Sequence, residues 1–463
     1  MKLSNKVLGL ALTTIVCFLT TNPIPTLTAV LVLYIIYKIL YFKTEPPIIF
    51  AGVTFQWITI TLKVFYADAY GIDFYTIHEF PEKIFEVYYM SLVSLIVFSI
   101  GVKIALKSRV HDADQKLLSM VKDYNPFRVI ILYVCITLAV GSLRAFLFAI
   151  PWLTQLMAMV TIVKWGFFYL MFITVHKNPK YLPVLICIIL YEFILGFASY
   201  FSSFKEVLIF TFIAFIAYHK NIKMKYVAFL LPFIIFIIHI GIVWSAVKGE
   251  YRMYLSGGER KQIVTVDESE ALSEFINLYN NLDDRKYWQA SYFLVDRISY
   301  IDFFSAAANY VPYTMPHQNG DVWGEALLHI VTPRFFFPNK PPIDSSKQLN
   351  MYTGLTMATA EDGASFSLGY MGDSYVDFGF RFMIIPIFLL GWVIGTVYKY
   401  ILGNSINVVW GIVLIVPMYY NFQINGTPGI KVLGNLFNYL ILCILFKYSL
   451  LPYLNKWLLF KNP

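Results

Sequence analysis

The stretch YVAFLLPFIIFIIHIGIVWSAV, residues 226–247, decides the fold of this chain. It is long enough to cross the hydrocarbon layer of a membrane, which takes roughly 20 apolar residues in a helix. Similar runs fill most of the chain: 58% of its 463 residues are hydrophobic and 14% are charged. Soluble domains carry roughly a quarter charged residues. The sequence therefore predicts an all-α polytopic membrane protein.

We expect about 12 transmembrane helices, divided by one long loop. The loop, 248–380, separates a nine-helix membrane region, 1–247, from a three-helix membrane region, 381–463. The first apolar run also has the length of a signal peptide, but no small-residue cleavage site follows it. The predicted spans are 7–22, 25–42, 47–66, 87–106, 128–150, 152–175, 181–200, 204–219, 226–247, 381–402, 406–422 and 430–450.

Loop charges predict the orientation of these helices. With both termini in the cytoplasm, the inner loops carry 19 Lys and Arg residues, and the short outer loops and helix ends carry four. This is the bias of the positive-inside rule. The long loop holds 17 of the 28 acidic residues and would be solvated on the outer side.

Within the loop we expect amphipathic helices at 268–281, 287–311 and 322–331. The second is apolar enough to be considered as a span, but it contains Asp296, Arg297 and Asp302. Each of these would cost roughly 2.5–3.5 kcal/mol in the membrane centre. We therefore predict that 287–311 is one helix on the membrane surface, and that the proline-rich run 332–343 is an extended loop.

The first candidate site follows the ninth span directly, in KGEYR, residues 248–252. Lys248 and Arg252 lie where a lipid headgroup would emerge from the bilayer. A guanidinium binds phosphate oxygens through two parallel hydrogen bonds and stays charged, so Arg252 suits a diphosphate. The alternative is plain contact with membrane headgroups, which is common for juxtamembrane cations.

The second candidate is PRFFFPNKPPID, residues 333–344. Arg334 and Lys340 lie six residues apart on a stretch that its prolines make stiff, which favours a clamp for an anion. Three phenylalanines between them would anchor the stretch in the interface. An ordinary re-entrant loop has the same composition and is the alternative.

The third candidate is SFSLGYMGDSYVDFG, residues 365–379. Asp373 is a candidate general base for a hydroxyl nucleophile, and Tyr370 and Tyr375 are candidates to contact a sugar. Gly369 and Gly372 would permit close approach of backbone. The alternative for Asp373 is a helix cap or an ion pair.

The predicted spans contain few ionisable residues. Lys164 and Glu192 lie at similar depth on consecutive helices and form either an ion pair or part of a transport pathway. His239 is either a hydrogen-bonded core histidine or a proton carrier. Arg144 lies in the outer half of its helix, where it could face a phosphate. No nucleotide-binding fingerprint is present, and no His/Cys/carboxylate cluster suggests a metal, so we expect a reaction without metal or cofactor.

In these motifs the chain resembles the oligosaccharide repeat unit polymerases, the O-antigen/capsule polymerase (Wzy-like) family. The resemblance rests on the long loop after the ninth span and on motifs in a fixed order, which cover about 130 residues. They are YR (251–252), DRIS (296–299), PRFFFPNKP (333–341) and the glycine-rich string ending at residue 379. The chain departs from the family at Asp373, where relatives often have glutamate.

The resemblance implies a membrane glycosyltransferase of the bacterial inner membrane, with an active site facing outward, and it is compatible with a GT-C-like architecture. Such an enzyme would transfer the growing glycan from undecaprenyl diphosphate to the next lipid-linked repeat unit of an O-antigen, capsule or exopolysaccharide. A chain-length regulator, a flippase and membrane lipids would be its partners; nucleic acid would not. The expected catalytic residues are Arg252, Arg297, Arg334 and Asp373, and the expected substrate-binding residues are Arg144, Lys248, Lys340, Tyr370 and Tyr375.

Three other classes fit parts of the sequence. A flippase or secondary transporter also has many spans, but transporters usually show paired halves and a site near the bilayer midplane. An O-antigen ligase would use the same donor with a different acceptor. A non-catalytic assembly protein would leave the arginines of the loop without a role.

Overall fold

The computed structural model describes residues 14–42, 45–107, 113–147, 154–198, 204–219, 224–258, 264–332, 337, 343–359 and 365–460. The described chain is helical, and its one β-type contact is an isolated bridge between Tyr124 and Leu459. The first ten α-helices are α1 (Pro23–Leu40), α2 (Ile48–Tyr70), α3 (Ile84–Ala105), α4 (Ala113–Met120), α5 (Pro126–Leu147), α6 (Thr154–His176), α7 (Leu182–Ala198), α8 (Phe204–Tyr218), α9 (Met224–Leu255) and α10 (Glu268–Asn280). The next ten are α11 (Asp284–Ile298), α12 (Ile301–Tyr310), α13 (Asp321–Val331), α14 (Ser345–Thr353), α15 (Gly369–Phe382), α16 (Ile384–Asn404), α17 (Val408–Ile415), α18 (Tyr419–Phe422), α19 (Gly429–Tyr448) and α20 (Leu451–Leu458).

Eight helical stretches in the described part of the chain are long and apolar enough to cross a membrane. They are Pro23–Leu40, Ile48–Tyr70, Ile84–Ala105, Ala158–His176, Pro179–Phe197, Leu231–Leu255, Ile384–Asn404 and Gly429–Tyr448. These helices bear out a helical, multi-pass membrane protein.

The figure of 12 spans stays a prediction. Helices also lie at the predicted spans 128–150, 204–219 and 406–422, but their apolar stretches are shorter than 18 residues. Most of the predicted span 7–22 is outside the described residues.

Close packing of α3 against α16 forms the centre of the bundle. A side chain at Gly101 would collide with the backbone of Phe388, and one at Gly391 would collide with the backbone of Phe98. Because both glycines lack a Cβ, the two helices approach until backbone meets backbone. This pair fixes where α16 begins, and therefore where the preceding loop joins the bundle.

The predicted helix 287–311 is wrong as a single element. The structure has two helices there, α11 and α12, because Ser299 is extended (φ −81°, ψ 118°) and turns the chain. Most of α12 is buried against the bundle rather than lying on its surface. The two helices have a common anchor: Lys63 on α2 contacts Asp296 at 2.7 Å and Asp302 at 2.7 Å.

Three of the ionisable residues within the predicted spans, Lys164, Glu192 and His239, are engaged with their neighbours. Lys164 Nζ lies 3.0 Å from Glu192 Oε2, and the Tyr133 hydroxyl donates to Glu192 Oε1 at 2.6 Å. The ion pair predicted between them is therefore confirmed. His239 Nδ1 lies 3.0 Å from the hydroxyl of Tyr287, on α11. A hydrogen-bonded histidine, one of the two readings of His239, is what the structure has.

Candidate functional site

Four basic side chains from three helices gather at one end of the bundle. Lys205 is at the start of α8, Lys248 and Arg252 are in the last turns of α9, and Arg297 is at the end of α11. We call these four residues the basic cluster. The sequence predicted Lys248, Arg252 and Arg297 as site residues, and the structure brings these three together.

The length of α9 determines how two of these cations are presented. The sequence predicted that the span ends at residue 247, but the helix continues to Leu255 without a break. Lys248 and Arg252 are four residues apart, so they lie on the same face of the helix. Tyr251 between them is buried, and its hydroxyl donates to the carbonyl of Phe197 at 2.8 Å. The tyrosine of the YR motif therefore fixes the helix end that carries the arginine.

The position of Arg297 depends on the residue before it. Asp296 is tied to Lys63, whose side chain is 1% exposed, and this ion pair holds the end of α11 against α2. Asp302 completes the anchor by accepting from Lys63 and from His78 Nδ1, each at 2.7 Å. In the DRIS motif the aspartate is thus an anchor, and the exposed arginine beside it is close enough to Lys205 and Lys248 for its charge to act on both.

The cations of the cluster act on one another. Lys248 is repelled by the positive charges of Arg252, Arg297 and Lys205. Lys205 is repelled by those of Arg252 and Arg297. Glu206 attracts Lys205, but its Oε2 also accepts a hydrogen bond from Trp165 at 2.9 Å. Like charges held this close disfavour each other's charged state unless an anion binds between them. The cluster therefore has the chemistry of an anion site.

A second polar region lies around Asp373. A cavity of about 550 Å³ is bounded by α13, α14, α15 and the start of α19. We call it the acidic pocket, since three carboxylates line it. Its lining residues are Val322, Glu325, Leu328, His329, Thr332, Ile343, Asp344, Lys347, Gln348, Met351, Tyr352, Asp373 and Ile430.

Asp373 combines the two roles that the sequence left open. Its Oδ2 accepts the backbone N–H of Gly429 at 2.8 Å, so it caps the first turn of α19. The side chain is only 3% exposed, yet it lines the acidic pocket. Within the described residues no hydrogen bond engages its Oδ1. One oxygen is therefore structural, and the other is available to the pocket.

The surroundings of Asp373 shift its protonation. Burial raises the pKa of Asp373 to about 7; the N–H of Gly429 opposes this shift by stabilising the carboxylate, while the charge of Asp377 adds to it. A carboxyl group that titrates near neutral pH is matched to general acid–base chemistry, because both of its protonation states are populated at working pH. The geometry thus allows Asp373 to take a proton from a hydroxyl in the pocket.

The two predicted sugar-contacting tyrosines are engaged inside the fold. The Tyr370 hydroxyl donates to Gln56 Oε1 at 2.8 Å and is fully buried. The Tyr375 hydroxyl donates to the carbonyl of Val311 at 2.7 Å. Their contact with a sugar stays a prediction, and the structure gives both hydroxyls partners in the protein. Gly369 does allow the predicted close approach of backbone: its missing Cβ would lie 3.0 Å from Gly426 N.

A chain of contacts joins the basic cluster to the acidic pocket. The charge of Arg297 acts on Tyr300, which follows it at the break between α11 and α12. The Tyr300 ring covers Gly426, in the loop before α19, and Gly426 packs on Gly369 at the start of α15. Asp373 is one helical turn further along α15. The two regions are therefore connected through Tyr300, Gly426 and Gly369.

Three of the predicted site residues cannot be placed. Arg334 and Lys340 lie outside the described residues, and for Arg144 the described part is the backbone, on α5. Thr332 and Ile343, the described residues nearest to Arg334 and Lys340 on either side, both line the acidic pocket.

Sequence reasoning missed several residues of these regions. Lys205 was counted only as an outer-loop charge, and no spacing in the chain relates it to Arg252. Lys63 lies in an apolar run whose partners come more than 230 positions later. Glu325 had no motif around it, and Asp344 ended the motif at 333–344 without being given a role. Among the described residues, no three His, Cys, Asp or Glu side chains come together in a way that could hold a metal ion.

Comparison with known proteins gives one match. Neither the curated proteins nor the solved structures contain a match to the chain. A protein family described as Domain of unknown function (DUF8712) matches residues 48–462, which include every described helix from α2 to α20. The chain belongs to this DUF8712 family.

Proposed function

We propose that this protein is a membrane glycosyltransferase that polymerises lipid-linked oligosaccharide repeat units. Its donor would be a growing glycan on undecaprenyl diphosphate, and its acceptor the next repeat unit on the same carrier. The observation that carries the proposal is the basic cluster. Four cations at the ends of two apolar helices and one amphipathic helix match a diphosphate whose isoprenoid tail lies in the bilayer.

The proposed reaction is a single displacement at the anomeric carbon of the donor. A hydroxyl of the acceptor forms the new glycosidic bond, and the bond between the anomeric carbon and the diphosphate oxygen breaks. The diphosphate leaves with the electron pair, and the hydroxyl proton passes to Asp373. Arg252 and Arg297 would stabilise the charge that develops on the leaving diphosphate, which is a strong effect in a site that is already organised.

The other predicted residues would have supporting roles in this proposal. Lys248 and Lys205 would add positive charge to the diphosphate site, and Arg334, Lys340 and Arg144 stay candidates for contact with the donor. We further propose the bacterial inner membrane as the location, with both termini in the cytoplasm and the basic cluster facing outward, on the bias of the loop charges.

A transporter is less well supported. Of the ionisable residues that favoured it, Lys164 and Glu192 are paired with each other, and Tyr133 also binds the glutamate. Such a satisfied pair stabilises a membrane protein without any transport role. The third, His239, contacts the hydroxyl of Tyr287 through Nδ1 at 3.0 Å.

Deletion of the gene, with complementation by variants, tests the proposal. Loss of the protein should leave single repeat units on the carrier or on the final acceptor. The wild-type gene should restore long polymer, and Arg252→Ala should not, at equal protein level. Lys286→Ala is a matched control, because Lys286 is exposed, lies on the neighbouring α11 and pairs with Glu250 at 3.6 Å.

Two other outcomes would overturn the proposal in favour of a rival. Long polymer that accumulates on the carrier lipid in the deletion strain would identify a ligase. Repeat units trapped on the cytoplasmic face would identify a flippase.

A further inference from the structure

Several carboxylates in and near the acidic pocket lie close to Tyr352. The charges of Glu325, Asp377, Asp373 and Asp321 all act on the Tyr352 hydroxyl, on which burial has the largest effect. Glu325 and Asp373 line the pocket itself, together with Asp344. Among the described lining residues, Lys347 is the one lysine or arginine, and its Nζ lies 3.9 Å from Asp344. In the described lining, carboxylates therefore outnumber basic side chains.

Two of these carboxylates have a structural role as helix caps. Asp377 accepts the N–H groups of Val322 and Trp323 at 3.1 and 2.9 Å and so caps α13. Asp344 caps α14 through the N–H groups of Ser346 and Lys347 at 3.1 and 3.2 Å.

Two carboxylate groups keep an acceptor for a ligand. They are Asp373 Oδ1 and the exposed carboxylate of Glu325, for which no hydrogen bond exists among the described residues. The first belongs to a side chain that is 97% withdrawn from solvent and borders the cavity, since Asp373 is 3% exposed.

The remaining lining suits a carbohydrate. A cavity of about 550 Å³ is in the usual size range of small-molecule sites. Carboxylate oxygens accept hydrogen bonds from hydroxyl groups, and Gln348 adds an amide that can both donate and accept. Tyr352 and Met351 provide apolar surface for the C–H face of a ring. The ligand class that fits is a polyhydroxylated molecule without negative charge.

We propose that the acidic pocket binds the acceptor sugar and selects a neutral or amino-substituted residue over one that bears a carboxylate. This inference rests on the proposed glycosyltransferase function, and it adds the chemical class of the acceptor. A uronic acid would place its carboxylate against Glu325 and Asp373, and like charges in an interface strongly disfavour the wrong partner. An ammonium group at the same place would be attracted.

Direct binding to the full-length protein in detergent tests the inference. The probes are methyl glycosides of the gluco, galacto and manno series, each in neutral, 2-amino and uronic acid form, and the readout is saturation-transfer NMR with competition. In the best-bound series the amino and neutral forms should bind at least ~10-fold more tightly than the uronic acid. Glu325→Gln should narrow this difference, and Glu268→Gln, an exposed glutamate on α10 outside the pocket lining, should leave it unchanged.

The inference is overturned if a uronic acid binds as tightly as its neutral counterpart, or if no probe binds at all. It fails separately from the proposed function, since binding of free glycosides needs no polymerisation. If the protein binds the probes selectively but its deletion leaves polymer length unchanged, the pocket's selectivity is supported and the polymerase function is rejected. If deletion abolishes long polymer but the protein binds a uronic acid tightly, the polymerase function is supported and the selectivity is rejected.

Discussion

The basic cluster and the acidic pocket differ in charge and in the elements that form them. The cluster, which consists of Lys205, Lys248, Arg252 and Arg297, lies at the ends of two apolar helices and one amphipathic helix, and the pocket is built mainly from short loop helices and carries three carboxylates. If these charges were mixed, they would pair and neutralise one another. We propose that their separation serves two ligands of different charge: an anion at the basic cluster and a polyhydroxylated, uncharged or cationic group in the acidic pocket.

Asp373→Asn should give the largest effect, because it removes the only group that we assign to proton transfer. Asparagine keeps an oxygen that can accept the N–H of Gly429, so the cap on α19 is retained. General base catalysis contributes typically 10²–10⁴-fold, and we expect polymerisation to fall by about that factor. An in vitro assay with purified protein and lipid-linked repeat units measures it. Activity of Asp373→Asn near the wild-type rate would remove Asp373 from the reaction.

The basic cluster should give the next largest effect. Removing one preorganised donor to a developing negative charge costs about 10²–10³-fold in rate. We expect Arg297→Ala to show a loss of this size, and Arg297→Lys to restore part of it, because lysine keeps the charge but not the planar fork. The same assay, with Lys286→Ala as control, measures both. Equal rates for Arg297→Ala and the control would contradict the role of the basic cluster in the reaction, and with it the contrast between the two regions.

Lys63→Met tests how the two regions are held together. It would leave Asp296 and Asp302 without their shared cation, and removal of one partner of a buried ion pair costs roughly 3–5 kcal/mol. We expect a clearly lower melting temperature in detergent and faster proteolysis within residues 264–332. Lys83→Met is the control, since its partner Glu86 is 55% exposed and such surface pairs contribute ~0–1 kcal/mol. Equal melting of both variants would contradict the anchor.

The pH profile should give the smallest effect and the most specific one. Asp373 has a pKa of about 7 in the folded protein, and an aspartate in an unfolded chain has a pKa of about 3.8. Between these values the folded state holds a proton that the unfolded state has lost, so stability should fall as pH rises from about 4 to 7. Activity should rise through pH 7, as the base loses its proton. Asp373→Asn should remove both trends, and thermal melts with rates across pH 4–9 would show whether the two slopes have opposite signs.

The sequence predicted the helices well and the site only in part. Apolar runs of membrane length are local patterns, so α1 to α3, α9 and α16 fall close to their predicted positions. The extension of α9 was missed because Lys248 and Arg252 were interpreted as the end of a span. A span ends where charged residues begin, but its helix can continue with further backbone hydrogen bonds. The break at Ser299 was missed because it depends on Lys63, more than 230 positions earlier. Glu325, Asp344 and Asp373 meet through the tertiary fold alone.

The most direct test of the account is the affinity of the basic cluster for its lipid. Purified full-length protein would be titrated with undecaprenyl diphosphate and with undecaprenyl phosphate, by native mass spectrometry, for the wild type, the Arg252→Ala/Arg297→Ala double variant and Lys286→Ala. Charge-assisted hydrogen bonds contribute about 1.5–3 kcal/mol each, so we predict at least ~100-fold weaker diphosphate binding for the double variant and unchanged binding for the control. Equal diphosphate affinity for all three proteins would contradict the central claim.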